Sequence, residues 1–160
     1  MGTEQVKHLR NRPLWRAVLA AMLIPLALIA FWPTPVDRPV QGILADTLSF
    51  LHRHGIPGWF NYQFVEAAAN VMLFIPFGFV SAFSFPEKRW WQIGALGLIV
   101  SGCIELGQLF FLHDRFASPM DIVTNMSGTL IGALLSAFAV KRLEAHRLAA
   151  MNLQQPGFES

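Results

Sequence analysis

The chain has 160 residues, 54% of them hydrophobic and 14% charged, where a soluble domain carries about 25% charged residues. The charges cluster and leave long stretches almost free of them, which excludes a surface that faces water on all sides. The formal net charge of +2 does not mark a nucleic-acid binder, because the basic residues flank apolar runs and no basic face alternates with stacking aromatics.

A bilayer core takes roughly 17–25 apolar residues per helix, and four segments reach that length. The expected fold is a single all-α membrane domain, a bundle of about four transmembrane helices. Residues 1–14 form a basic N-terminus. The first span runs from Trp15 to Trp32. Its apolar run is near the upper limit for a signal peptide, but Phe31-Trp32-Pro33 does not resemble a small-residue cleavage site, so a retained anchor is expected. Residues 33–63 form a loop. Pro33, Pro35 and Pro39 break helix at its start, and Leu44, Leu48 and Leu51 then share one face of a short interfacial helix. Trp59, Phe60 and Tyr62 suit headgroup level. The remaining spans are Phe64–Phe85, Trp90–Leu112 and Met120–Val140, and residues 141–160 form a polar tail without regular structure after Ala150. Cys103, the only cysteine, lies inside the third span, so neither an intramolecular disulfide nor a cysteine-based metal site is expected.

Lysine and arginine placement sets the orientation. With four spans, one side receives Lys7, Arg10, Arg12, Arg16, Lys88, Arg89, Lys141, Arg142 and Arg147; the other receives Arg38, Arg53 and Arg115. Nine against three places the first group, and both termini, in the cytoplasm, and makes the 33–63 loop extracytoplasmic.

The informative residues are the polar ones within the spans. Glu66 and Asn70 are four apart in the second. Gly94, Gly97, Ser101, Glu105 and Gln108 recur at three- and four-residue steps in the third, as do Asp121, Asn125, Gly128 and Gly132 in the fourth. Each set falls on one helix face. At a rise of about 1.5 Å per residue, Glu105 lies about 10 Å and Asn70 about 9 Å inside their spans, with Asn125 about 6 Å beyond Asp121. Three faces thus carry polar groups at similar depth in the outer leaflet. Carboxylates in lipid face protein or water. The nearest cation is Arg115, which faces up to three carboxylates, Glu66, Glu105 and Asp121, that a partly desolvated site cannot hold fully charged together. The candidate ligand-binding set is therefore Glu66, Asn70, Glu105, Gln108, Arg115, Ser118, Asp121 and Asn125.

Plainer roles stand beside these. Ser118-Pro119-Met120-Asp121 reads as a helix start, with serine at the cap, proline at the first position and an acid in the first turn. Gly128-x-x-x-Gly132 is first a packing motif, and Gly94 and Gly97 join it as packing positions. Pro76 and Gly78 loosen the second helix. Glu66 begins its helix, where the dipole favours an acid. His52, His54 and His113 lack metal-ligand spacing and read as solvated.

The same residues carry a resemblance. Asn70-x-x-Leu73-Phe74-Ile75-Pro76-Phe77-Gly78 looks like the second-span signature of the VanZ-like family, and Ser101-x-x-x-Glu105-x-x-Gln108 resembles its third-span motif. Arg115-x-x-Ser118-x-x-Asp121-x-x-x-Asn125-x-x-Gly128-x-x-x-Gly132 resembles its final motif. The likeness runs from Glu66 to Ala137, within a VanZ-like region spanning residues 64–140. It implies a multi-pass protein of the bacterial cytoplasmic (inner) membrane. The family takes its name from a member linked to resistance against the glycopeptide antibiotic teicoplanin. It brings no settled catalytic assignment.

Three functions are compatible with this pattern. The first is a binding or accessory protein whose outer-leaflet pocket holds the polar end of an envelope ligand, such as a lipid-linked precursor or a lipophilic glycopeptide. Arg115 then pairs with an anionic group. The second is a membrane enzyme on a lipid-linked substrate, with Glu105 and Asp121 as candidate acid–base groups and Arg115 stabilising negative charge. The third is a small proton-coupled transporter. No cofactor, metal or nucleic-acid partner is expected. The partner common to all three is the bilayer.

Overall fold

In a computed structural model, the structure describes residues 11–32, 38–112 and 118–154. Helix α1 spans Arg12–Ala30, a single 3-10 turn covers Arg38–Val40, and α2 spans Gln41–Arg53; α3 spans Tyr62–Ser84, α4 Trp90–Phe111 and α5 Pro119–Gln154. The described residues contain no strand. Four of these helices, α1, α3, α4 and α5, are long and apolar enough to cross a membrane. The sequence expectation of an all-helical membrane bundle matches this architecture.

Local chemistry sets the helix boundaries. Asn11 accepts the Leu14 N–H at 3.4 Å and starts α1. Asn61 accepts the Phe64 N–H at 3.0 Å and starts α3, as expected of an asparagine cap. The Arg89 N–H, at the start of α4, donates to the Gln92 side-chain oxygen at 2.9 Å. Helix α2 stops where Gly55 adopts φ +94°, a left-handed conformation that glycine adopts without steric penalty. It contains Leu44, Leu48 and Leu51, and Leu48 is buried. Helix α5 continues well past Val140, where the apolar run ends, through Lys141 and Arg142 to Gln154.

The longest helix-to-helix contact joins α3 and α5, which run parallel. Val71 lies against Gly128 and Ile75 against Gly132, one turn further along both helices. A Cβ at Gly128 would meet the Val71 carbonyl oxygen, and one at Gly132 the Ile75 carbonyl oxygen. Backbone cannot give way as a side chain can, so the close approach requires glycine. Helix α4 packs on α5 through Gly97 against Thr129 and Gly94 against Leu130. All four glycines read from sequence as packing positions are therefore interhelical contacts.

Helix α1 lies on α3. Leu19 and Leu26 join Phe74, Phe77 and Val80 in one apolar cluster, and Trp15 stacks on Phe83 with ring centroids 4.8 Å apart. The outward surface is apolar: Ile24, Met72, Ile99, Phe110 and Phe138 are all exposed. An apolar exterior around a core that contains Ser81, Ser101 and Thr129, all fully buried, suits lipid as the surrounding solvent.

The bundle has two chemically different ends. Arg12, Arg16, Lys88 and Arg89 collect where α1 and α4 begin and α3 stops: Arg16 Nε donates to the Ser84 carbonyl at 3.4 Å, and Arg12 pairs with Glu87 at 4.0 Å. The starts of α3 and α5 and the ends of α1 and α4 form the other end, which holds Glu66, Glu105, Gln108 and Asp121.

Candidate functional site

At that polar end the side chains separate into two groups. The first lines a cleft between the start of α3 and the start of α5, with a volume of about 490 Å³. Glu66, Ser118 and Asp121 open onto it, together with Asn61, Gln63 and Trp59. Glu66 is exposed, while Ser118 and Asp121 are half-buried. Phe64, Ala67 and Met120 complete the lining, so one cleft offers carboxylates, amides and apolar surface together. Trp59 stands at its mouth, 63% exposed, with its ring edge-on to Phe64 at 5.1 Å. An exposed indole beside a polar recess is typical of a membrane–water boundary.

The second group lies between helices. Glu105, on α4, is 5% exposed, and its Oε2 accepts the Ser118 backbone N–H at 2.7 Å. Ser118 immediately precedes Pro119, the first residue of α5, so a carboxylate from one helix satisfies a donor at the start of the next. A carboxyl oxygen at this place satisfies a donor at the start of a helix, where backbone N–H groups have no partner within the helix. Asp121 lies in the first turn of the same helix, and its N–H donates to the Ser118 carbonyl at 3.0 Å.

Deeper in the bundle, Asn125 Nδ2 donates to Ser101 Oγ at 2.9 Å, linking α5 to α4. Gln108 Nε2 donates to the Ala30 carbonyl at 2.8 Å and ties α4 to the end of α1. Thr129, with its hydroxyl donating to the Asn125 carbonyl at 2.9 Å, fills the gap between Gly78 and Gly97. Asn70 is half-buried and does not line the cleft.

Six of the candidate residues read from sequence thus fall in two settings. Glu66, Ser118 and Asp121 share the cleft; Glu105, Gln108 and Asn125 make contacts between helices. Arg115 and His113 lie outside the described residues. His52 and His54 hydrogen-bond through ring nitrogens to the carbonyls of Phe60 and Phe50, at 3.0 and 2.8 Å. Among the described residues, no three His, Cys, Asp or Glu side chains gather as a metal-binding group.

Sequence reasoning did not single out Asn61, Gln63 or Thr129. Asn61 could have been found as the cap before an apolar run. Thr129 follows Asn125 by four residues and shares its face. Nothing local marks Gln63.

Comparison with curated proteins and with solved structures returned no match. A family model described as VanZ/LLP1 matches residues 12–140. That match takes in α1, α2, α3, α4 and the membrane-crossing part of α5, together with both polar groups described above. The chain is therefore a multi-pass membrane protein that belongs to the VanZ/LLP1 family.

Proposed function

We propose that this protein binds the polar end of an envelope-associated amphiphile in the cleft between α3 and α5, on the outer face of the bacterial cytoplasmic membrane. The observation that carries this reading is the make-up of the cleft: Glu66, Ser118, Asp121, Asn61 and Gln63 gathered beside Trp59 and Phe64. Carboxylates, amides and a hydroxyl can hydrogen-bond sugars or peptide amides, and the aromatic and aliphatic lining accepts the apolar remainder. A lipid-linked saccharide or a lipophilic glycopeptide has both halves. Arg115, three residues before Ser118 in sequence, is the cation assigned to an anionic group on such a ligand. Glu105 and Asn125 support the cleft from behind by fixing α5 against α4. The excess of lysine and arginine on one side supports cytoplasmic termini.

The test is retention of native ligand. Protein extracted in mild detergent is examined by native mass spectrometry beside the Glu66→Gln, Asp121→Asn double variant. A headgroup-bearing amphiphile carried by the parent and lost from the variant is the expected result. Equal retention by both removes the cleft as the binding site.

A second reading, a membrane enzyme on a lipid-linked substrate, draws support from the same cleft: of the expected pair Asp121 lines it and Glu105 does not, but Glu66 stands there beside Asp121, and paired carboxylates can perform glycosyl chemistry. Under that reading Asp121→Asn alone leaves ligand bound but unconverted. Under the binding reading it weakens retention, and no converted product accumulates with either protein.

A further inference from the structure

The basic end carries a second recess, remote from the cleft. It is a slot of about 240 Å³ between the end of α3 and the first turns of α4, with Phe85, Lys88 and Gln92 at one end and Ile93, Leu96 and Ile99 along its floor. Gln92, Leu96 and Ile99 follow one another at helical spacing, so the floor descends one face of α4. Seven residues separate Gln92 from Ile99, which is about 10 Å of helix. Polarity therefore runs along the slot: a lysine and an amide at the mouth, then only hydrocarbon.

The charge at the mouth is positive. The Lys88 N–H donates to the Phe85 carbonyl at 2.9 Å, a tight turn that keeps the lysine beside the slot. The Lys88 ammonium has no ion pair or hydrogen bond among the described residues. On the Phe85 ring lies a second cation, Arg16, at 5.4 Å. Glu87 is the nearest acid in sequence, and its carboxylate is engaged with Arg12. Gln92 spends its oxygen on the Arg89 N–H, which leaves its amide N–H groups to donate. Trp90 and Trp91, 55% and 51% exposed, place this mouth at the level where indoles meet lipid headgroups.

We propose that this slot binds an anionic phospholipid from the leaflet on the basic side, with its phosphate at Lys88 and Gln92 and the upper part of one acyl chain along Ile93, Leu96 and Ile99. Basic recesses between transmembrane helices hold acidic headgroups by this combination. A soluble anion leaves the apolar floor unused, and a zwitterionic lipid brings a cationic group of its own beside the phosphate, which offsets the attraction to Lys88 and is repelled by Arg16 nearby. The inference is independent of the cleft at the polar end.

Purified full-length protein in detergent is titrated with phosphatidylglycerol and, separately, with phosphatidylcholine, and bound lipid is counted by native mass spectrometry. The parent retains phosphatidylglycerol preferentially. Lys88→Gln lowers that retention about fivefold, the effect of one cation at a lipid surface. Arg142→Gln removes an exposed cation on the same side, seated on the Phe138 ring away from the slot, and leaves retention unchanged. Ala95 also lines the slot, and Ala95→Phe fills it without altering charge and also lowers phosphatidylglycerol retention. Equal binding of the two lipids overturns the proposal. So do equal losses for Lys88→Gln and Arg142→Gln, which mark general attraction to a basic surface. Full retention by Ala95→Phe overturns the acyl-chain part.

Discussion

The Glu105 carboxylate accepts the Ser118 backbone N–H at 2.7 Å and so joins α4 to the first residue before α5. The two helices are connected through a short segment, yet this bond fixes where α5 begins, and with it the position of Asp121 three residues later. A buried acid in a membrane helix thus has a structural task next to a candidate binding cleft.

Glu105→Ala removes the acceptor and strands a part-buried donor, which costs about 1–3 kcal/mol. Glu105→Gln keeps a carbonyl oxygen at nearly the same place and loses less. Equilibrium unfolding in mixed micelles should rank the parent first, the glutamine variant second and the alanine variant last. An alanine variant as stable as the parent shows that α5 starts without this bond.

The parallel α3–α5 contact yields a sharper contrast. Gly128→Ala or Gly132→Ala drives a methyl group into a carbonyl oxygen of α3, and each should destabilise the bundle by about 1–3 kcal/mol. Gly102→Ala is the control, because a Cβ there meets nothing within 4 Å. The same unfolding measurement should leave Gly102→Ala close to the parent or slightly above it. Equal effects at all three positions would show that helix propensity, not close approach, dominates.

Much of this fold was legible because the bilayer imposes few solutions. Length and hydropathy identify the four spans, and helical periodicity alone places Ser101, Glu105 and Gln108 on one face and Asn125, Gly128 and Gly132 on another. What periodicity cannot supply is the partner. Gln108 bonds a carbonyl 78 residues earlier in the chain, at Ala30, and Glu105 bonds a backbone donor rather than a side chain. Gly78 reads as a loosening of α3 beside Pro76, but its distinctive feature is contact with the Thr129 backbone. The cleft was only half visible for the same reason: Asn61, Gln63 and Trp59 come from the loop and the start of α3, and only tertiary packing brings them opposite Asp121. The extension of α5 beyond Val140 was missed because hydropathy marks where lipid contact ends, not where a helix ends.

Ser101 and Asn125 offer a measurable pair. Their 2.9 Å hydrogen bond is buried, but an unfolded chain inside the bilayer also finds partners for its polar groups. The coupling between Ser101→Ala and Asn125→Ala should therefore be modest, about 0.6 kcal/mol and no more than about 1.7 kcal/mol. A double-mutant cycle on unfolding free energy measures it. No coupling at all would place the stabilising role of Asn125 elsewhere on α5.

The nine-to-three division of lysine and arginine predicts a basic end facing the cytoplasm, and labelling tests it directly. In a Cys103→Ser background, single cysteines are introduced at Ser49 in α2 and at Ala145 in the extension of α5; both positions are exposed. A membrane-impermeant maleimide should label position 49 in intact cells and position 145 only after permeabilisation. Four spans place these sites on opposite sides, so the two results must reverse together if the basic end faces outward. Labelling of both sites from one side would require an odd number of crossings between α2 and α5 to be lost, and with it the shared membrane depth that lets Glu66 and Asp121 line one cleft.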